Sequence, residues 1–332
     1  MNYEESLKIL DEIRKVKKVL INCHKNPDPD SIGSALAVRR ILLDLNKEVE
    51  IICPSGELYE PLNYLDDYLV IKKGVDFSSF DFAKFDLFIV LDSSSWWMVT
   101  NSEIFEPKGI KTIVLDHHDT NERFGNINLV DTKTSSIGEL LYLLFEDWGV
   151  EINKIVADQL MVSIVGDTGA FRYPDASQKT FQIVDKLMSL GADKDKAIQH
   201  LYRSESYPMM KFYGEVLSRA QLDETGNFFW SAVPYEIFNS LGKPVSAKEA
   251  SASMFAQIVE GTDFGFVAVE QEKGRLNISF RSRTGFDVSK IAEDLGGGGR
   301  IYASAAKIEG LSFDEAVKKV LEVARKYAKK TN

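Results

Sequence analysis

Four short apolar runs in this chain each end by delivering carboxylates or imidazoles. Residues 19–22 lead into His24-Lys25-Asn26-Pro27-Asp28-Pro29-Asp30, and Leu87–Leu91 (LFIVL) ends in Asp92. Residues 112–115 end in Asp116-His117-His118, and residues 161–165 lead through Gly166 into Asp167. The chain holds 4 histidines, and all but His200 sit in these segments. Short, wholly apolar runs suit strands buried on both faces, and helical patterns separate them here. Strands alternating with helices make right-handed βαβ units around a mostly parallel sheet flanked by helices. Such sheets place their chemistry beyond the carboxyl ends of the strands, where these residues fall; Asp167 arrives instead from a helix C-terminus.

The pattern predicts helices over 3–17, from a Ser31 cap to Leu45, from Ser135 or Ser136 to Phe145, and over 154–165. Strands are predicted at 19–22, 49–53, 87–92 and 112–115. Helical periodicity continues through 178–190, 193–202 and 208–220. The texture then changes. Strands at 227–234, 265–270 and 275–281, with helices at 246–260, 287–295 and 312–329, predict a smaller second α/β domain. The expected division is 1–190 for the domain with the metal site, 191–215 for a helical connector, and 216–332 for a substrate-binding domain. The active site is expected in the cleft between the two domains.

The 332 residues suit two domains. The net charge of −10 argues against a basic track for long DNA or RNA, and favours short substrates or a site with its own positive ions. No run approaches the ~20 apolar residues of a membrane span. The first ten residues, MNYEESLKIL, are acidic and amphipathic rather than a leader, so the expected location is cytoplasmic. Cys23 and Cys53, the 2 cysteines, have no disulfide or zinc spacing. Cys23 precedes His24, but neighbours on a strand face opposite sides, so it reads as a small buried residue. The tail KYAKKTN reads as a solvated helix end.

Carboxylates with imidazole suit hard divalent ions, Mn²⁺ above all, with Mg²⁺ or Co²⁺ as alternatives. Two ions ~3.5–4 Å apart need a bridging group and can clamp a phosphoryl centre. Pro27 and Pro29 favour an extended backbone, so Asp28 and Asp30 point to similar sides and can face different ions. Asp92, at a strand end, is placed to bridge. His117 and Asp167 can complete the ligand set of the second ion, and Asp116 can orient an imidazole from behind. Each feature alone has a plainer reading: a lone Asp after a strand is a turn or cap, and paired histidines suit an exposed loop. The coincidence of all four favours a metal site. His200, in a polar helical stretch, reads as surface.

The chain resembles the DHH phosphoesterase family. The marks are HKNPDPDSIGS at 24–34, VLDSS at 90–94, LDHHDTN at 115–121 and IVGDTGAFRY at 164–173. The C-terminal part is similar to the DHH-associated domain, through SFRSRTGFDVSKIAEDLGGGGR at 279–300. The two-domain length is similar to the oligoribonuclease and phosphoadenosine-phosphate phosphatase branch, the nano-RNases. The resemblance implies one Mn²⁺ on His24, Asp28 and Asp92, and another on Asp30, Asp92, His117 and Asp167. It also implies that His118 reaches the scissile phosphate or leaving oxygen, with Asp116 supporting the DHH loop. The family's glycine-rich motif commonly ends in His; here that position is Arg300.

Arg281, Ser282 and Arg283, with Gly297, Gly298, Gly299 and Arg300, are the expected phosphate and nucleotide contacts. Taken alone, the glycines read as a turn and the arginines as an edge-strand charge pair. Trp96 and Trp97 can stack a base or pack, and Arg172 and Tyr173 can line the cleft. The expected reaction is Mn²⁺-dependent hydrolysis of short oligonucleotides or linear dinucleotides such as diadenylate to mononucleotides. Cyclic dinucleotides and 3′-phosphoadenosine 5′-phosphate stand as further substrates. A pyrophosphatase or polyphosphatase of the same family is one alternative, and a non-catalytic nucleotide-binding sensor another. A RecJ-type exonuclease resembles a longer chain with extra domains. No long nucleic acid or membrane partner is expected, and a homodimer stays open.

Overall fold

The computed structural model describes residues 2–102, 106–244 and 246–328. It divides into two compact units, Met1–Ser204 and Glu205–Asn332. The first contains α1 (Ser6–Lys15), β1 (Lys18–Asn22), α2 (Pro29–Asp44), β2 (Glu48–Ile52), β3 (Leu87–Leu91) and α3 (Trp96–Thr100). It continues with β4 (Lys111–Asp116), β5 (Ile127–Val130), α4 (Ile137–Trp148), α5 (Lys154–Asp167), α6 (Gln178–Ser189) and α7 (Lys194–Tyr202). The five strands are all parallel, in the order β2-β1-β3-β4-β5. From β1 the chain steps to one side into β2, then crosses back to the other side for β3. The point where that direction reverses is the crevice in which open α/β sheets bind ligands.

The strands are apolar throughout because both faces are covered. On β3, Leu87, Ile89 and Leu91 join the large core beneath helices α1, α2, α4 and α5. Phe88 and Val90 point the other way, into a smaller core with Leu20, Phe77, Phe82 and Val114. That second face is covered largely by the segment between β2 and β3 rather than by long helices.

Helix α2 starts at Pro29, and its cap is Asp28, whose side chain accepts from the Ser31 backbone N–H at 2.9 Å. The expected Ser31 cap and extended 27–30 loop are thus corrected: Asp30 already lies in the first helical turn. Pro29 suits that start, since its fixed φ is helical and its missing N–H would have had no helical partner. Ser31 instead uses its hydroxyl to accept the His24 N–H at 3.1 Å. Of the two candidate caps before α4, Ser136 takes the role. His200 is half-buried and stacked on Tyr64 with ring centroids 3.9 Å apart, not a free surface residue.

The second unit contains α8 (Tyr207–Ser218), β6 (Gln221–Leu222), β7 (Phe228–Val233), α9 (Tyr235–Ser240), α10 (Ala247–Phe255), β8 (Phe264–Glu272) and β9 (Arg275–Ser282). It ends with α11 (Ser289–Asp294), β10 (Gly298–Arg300), β11 (Ala303–Glu309) and α12 (Phe313–Ala328). Its six-stranded sheet runs β10-β11-β9-β8-β7-β6, antiparallel except for β7 with β8. Strands β6, β10 and β11 go beyond the three predicted. One face packs on α11 and α12, the other on α8, α9 and α10. The helices expected as a connector fall on either side of the division. Residues 329–332, the end of the Lys-rich tail, lie outside the described residues. Among the described residues no helix is long and apolar enough to cross a membrane.

Gly33 shows how packing sets up the site. A Cβ there would lie 2.6 Å from the Gln159 carbonyl oxygen and 3.2 Å from the Ser163 backbone nitrogen, both on α5. Only glycine lets α2 and α5 approach so closely. Gly33→Ala is expected to cost about 1–3 kcal/mol in urea unfolding. Gly214 on α8 has nothing within 4 Å of its Cβ position, so Gly214→Ala is expected to gain roughly 0.5–1 kcal/mol. Equal effects at both positions would remove the packing argument.

Candidate metal centre

Five elements of the first unit converge at the carboxyl end of its sheet. His24 follows β1, Asp92 follows β3, Asp116 closes β4 with His117 and His118 after it, and Asp167 ends α5. Asp28 and Asp30 come from the start of α2. Asp92 occupies the left-handed region with φ 51°. Aspartate tolerates that conformation better than most residues, and such outliers gather at functional sites.

The two oxygens of Asp92 face different imidazoles. Oδ2 lies 3.2 Å from His24 Nε2, and Oδ1 lies 3.7 Å from His117 Nε2. Around His24 Nε2 stands also Asp28 Oδ2 at 3.7 Å. Around His117 Nε2 stand Asp167 Oδ2 at 3.2 Å and Asp30 Oδ2 at 3.7 Å. Three sets of donors lie close enough to hold a metal ion: His24, Asp28 and Asp92; Asp30, His117 and Asp167; and Asp92, His117 and His118. Asp92 belongs to the first and the third of these sets.

The imidazoles are turned to offer a lone pair inward. His24 Nδ1 is 2.7 Å from the Lys25 carbonyl oxygen, and His117 Nδ1 is 3.3 Å from that of Thr134. A carbonyl only accepts, so each Nδ1 carries a proton, and Nε2 is the nitrogen that offers a lone pair once it is deprotonated. His117 Nε2 is buried without a hydrogen-bond partner, among three carboxylates. A buried polar atom left in that state fits a cation, and so does the donor chemistry.

The electrostatics point the same way. Burial opposes a charge on His24, but Asp28 and Asp92 outweigh it and push the group up to about 11. Burial likewise opposes charge on His117, yet Asp167, Asp92 and Asp30 push it up to about 12. Burial and the neighbouring Asp92 and Asp167 carboxylates push Asp30 well up, against the pull of His117. Asp167 rises to about 6, through burial, with His117 pulling down and Asp92 and Asp28 pushing up. For Asp92 burial is overcome by His117 and His24, which hold its carboxyl well below the usual range. A cluster that raises its imidazoles and two of its carboxyls together is short of positive charge.

The supporting layer holds residues that the sequence reading did not single out. Asp30 accepts the N–H groups of Ile137 at 2.8 Å and Gly138 at 3.3 Å, at the start of α4, and the Ser163 hydroxyl. Buried Asn22 accepts the Leu91 N–H at 2.9 Å and donates to Ser93 Oγ at 3.3 Å, tying the ends of β1 and β3 together. Asn121 donates to Asp116 Oδ2 at 2.5 Å and to the Ser93 carbonyl at 3.0 Å. Asp116 Oδ1 in turn takes the His118 Nδ1–H at 2.8 Å, which lifts the pKa of His118 against its burial. The sequence signal for Asn121 was present, three residues past His118 in LDHHDTN.

The residues expected to hold substrate lie in the second unit. Arg281 on β9 donates to Ser253 Oγ at 3.1 Å and to the Phe280 carbonyl at 2.9 Å. Register pairs Arg281 with Ala303, and Ala303 with Arg300, so both arginines stand in one row on one sheet face. Arg283 donates to the Thr262 carbonyl at 3.1 Å, while Ser282 is buried and accepts the Gly285 N–H at 3.1 Å. The glycine run is not a free turn, because Gly298–Arg300 is strand β10. A Cβ at Gly297 would come within 2.7 Å of Ala306 Cα, and one at Gly299 within 2.5 Å of Ser304 Cα. Close packing on β11 therefore accounts for both; Gly298 has no such neighbour. Trp96 packs on Phe124 at 4.7 Å between centroids, whereas Trp97 is exposed. Arg172 donates to the Gly169 carbonyl at 2.5 Å and lies over the Tyr202 ring, and Tyr173 is exposed.

Comparison with known proteins bears on the two domains and the fold. The DHH family N-terminal domain matches residues 18–164, and the DHHA1 domain matches 241–330. The chain is 28% identical over 332 residues to the bifunctional oligoribonuclease and PAP phosphatase NrnA of Thermus thermophilus, spanning 97% of this chain and 94% of that one. It is 26% identical over 306 residues to the NrnA of Bacillus subtilis, spanning 90% and 91%. An exopolyphosphatase-related protein from Bacteroides fragilis shares the fold with a TM-score of 0.87, at 24% identity over 98% of this chain and 96% of that one. The chain thus carries a DHH family N-terminal domain followed by a DHHA1 domain.

Proposed function

We propose that this protein is a two-metal phosphodiesterase that hydrolyses short oligonucleotides, such as linear diadenylate, to mononucleotides. The observation that carries this reading is Asp92, whose two oxygens are shared between His24 and His117. The relatives named as oligoribonucleases and PAP phosphatases supply the substrate class.

His24, Asp28 and Asp92 would hold one ion, and Asp30, Asp92, His117 and Asp167 the other, with Mn²⁺ the best match to mixed oxygen and imidazole donors. When bound, such ions supply the Lewis acidity that makes water nucleophilic near neutral pH and offsets phosphoryl charge. The chain's own residues do the rest. Asp30, buried and fastened to the start of α4, keeps one wall rigid. Asp116 holds the Nδ1 proton of His118 and favours its charged form, so the far ring nitrogen can donate to a phosphoryl or leaving oxygen. Asn121 fixes Asp116 in turn. In the second unit, Arg281, Ser282, Arg283, Gly297, Gly298, Gly299 and Arg300 are proposed to grip the substrate's far phosphate. Arg300 offers a bidentate fork at the end of the glycine run.

A hydrolysis panel of linear diadenylate, cyclic diadenylate, 3′-phosphoadenosine 5′-phosphate and pyrophosphate tests the reading. Release of AMP from linear diadenylate is expected, reduced at least ~10³-fold in Asp92→Ala, since several kcal/mol of charge stabilisation is lost. Turnover of pyrophosphate alone would replace the substrate assignment, and binding of nucleotide without turnover would point to a sensor.

Metal binding has a readout of its own. Excess Mn²⁺ over the chelator-treated protein is expected to raise Tm, because it binds the folded state only. Asp92→Ala should abolish most of that shift. Asn121→Ala is expected to keep the shift and lose roughly 10–100-fold in kcat, the usual scale for a supporting hydrogen bond. Loss of metal binding in Asn121→Ala would mean that it supports the ligands rather than His118.

A further inference from the structure

The segment after Asp92 carries an exposed aromatic that the proposed mechanism does not use. Trp97 is 46% exposed, on the short helix that follows the Asp92 loop. Its neighbour Trp96 turns inward onto Phe88 and Phe124, which fastens that helix to the sheet. Trp97 is thus held out by a rigid support.

Lys25 joins Trp97 to the metal centre. Its carbonyl oxygen takes the His24 Nδ1–H at 2.7 Å, and its backbone N–H donates to the Met98 carbonyl at 2.8 Å. One residue therefore stitches the His24 ligand to the helix bearing Trp97. The Lys25 ammonium lies over the indole ring. Among the described residues it makes no salt bridge, although the site beside it is rich in carboxylates. An ammonium parked on an aromatic face is held by a cation–π contact, weak enough to exchange for a phosphate.

From this juxtaposition we infer that Trp97 and Lys25 form a nucleotide subsite of the first unit. One substrate base stacks on the exposed indole, and the ammonium pairs with substrate phosphate. Stacking is tolerant of base identity because every base has a π face, so the subsite selects nucleotides over bare phosphate chains without reading sequence. The inference rests on the phosphodiesterase reading and adds two specificity-determining residues to it.

The test uses the full-length Mn²⁺-loaded protein with linear diadenylate and two analogues, abasic at the 5′ or at the 3′ nucleotide. Trp97→Ala is expected to raise KM for diadenylate about 10-fold with little change in kcat, and Trp97→Phe to recover most of the loss. The Trp97→Ala penalty should disappear on one abasic analogue and persist on the other. Lys25→Met should raise KM roughly 10-fold on all three, with a weaker salt dependence. An equal Trp97→Ala penalty on all three substrates, or none on any, overturns the stacking role. If the wild type hydrolyses none of them, the phosphodiesterase reading fails by itself. AMP binding then decides the subsite: quenching of tryptophan fluorescence that is lost in Trp97→Phe supports it, and an unchanged quench sinks it.

Discussion

The carboxylate of Asp92 is the point on which the first unit turns. Its oxygens reach toward His24 on one side and His117 on the other, so two neighbouring strand ends share one charge. Strand order makes that sharing available: β3 lies between β1 and β4, beside the point where the chain reverses direction across the sheet. Backbone conformation then completes it. Continued as extended strand, position 92 would point to the same side as Phe88 and Val90, toward the aromatic core. The left-handed φ of 51° turns the residue off the strand instead. Asn22 and Ser93 hold the strand ends in place around the turn.

Burying acids beside one another is unfavourable unless something offsets their charge, and the effective penalty is several kcal/mol per ion. The fold offsets part of it. The start of α4 gives Asp30 two N–H groups, aligned with the positive end of a helix dipole. The imidazoles offset more, and their raised pKa values measure the demand. What remains is the unpartnered His117 Nε2 facing three carboxylates, a place where a divalent ion satisfies every group at once. Stability and function conflict there, and the close packing of α2 on α5 at Gly33 helps the unit to tolerate it.

The candidate ligands were legible in the sequence because ligand chemistry requires particular residue types at strand ends, and apolar runs such as LFIVL mark those ends plainly. Their support was less legible. Asn22 and Ser163 are polar residues in apolar stretches and Ser93 stands in a serine run, and nothing local distinguishes a hydrogen-bonding strut from a solvated side chain. The Ser31 cap failed because Asp28 competes for the same role one turn earlier, and it is the better placed acceptor with proline following. In the second unit, β10 and β11 escaped because GGGGRIYASAAKIE is rich in Gly and Ala, with few of the bulky β-branched and aromatic residues that announce a strand. Their place in the sheet is set by pairing with β9, a tertiary fact. Strand β5 was missed for its length, four residues at a sheet edge.

The overall charge of −10 also bears on how a phosphate could approach such a site. Asp28, Asp30, Asp92 and Asp167 together present a negative field, and a phosphodiester is repelled by it. Protonated imidazoles reduce that field but use up the lone pairs that ligation needs. Divalent ions remove both difficulties, since they invert the local sign and free the imidazoles from protons. On the proposed function, electrostatics would therefore favour cation binding before substrate binding. It also explains why a strongly acidic chain would suit a short substrate. Cations such as Lys25 in the first unit and Arg281 in the second can each meet one phosphate.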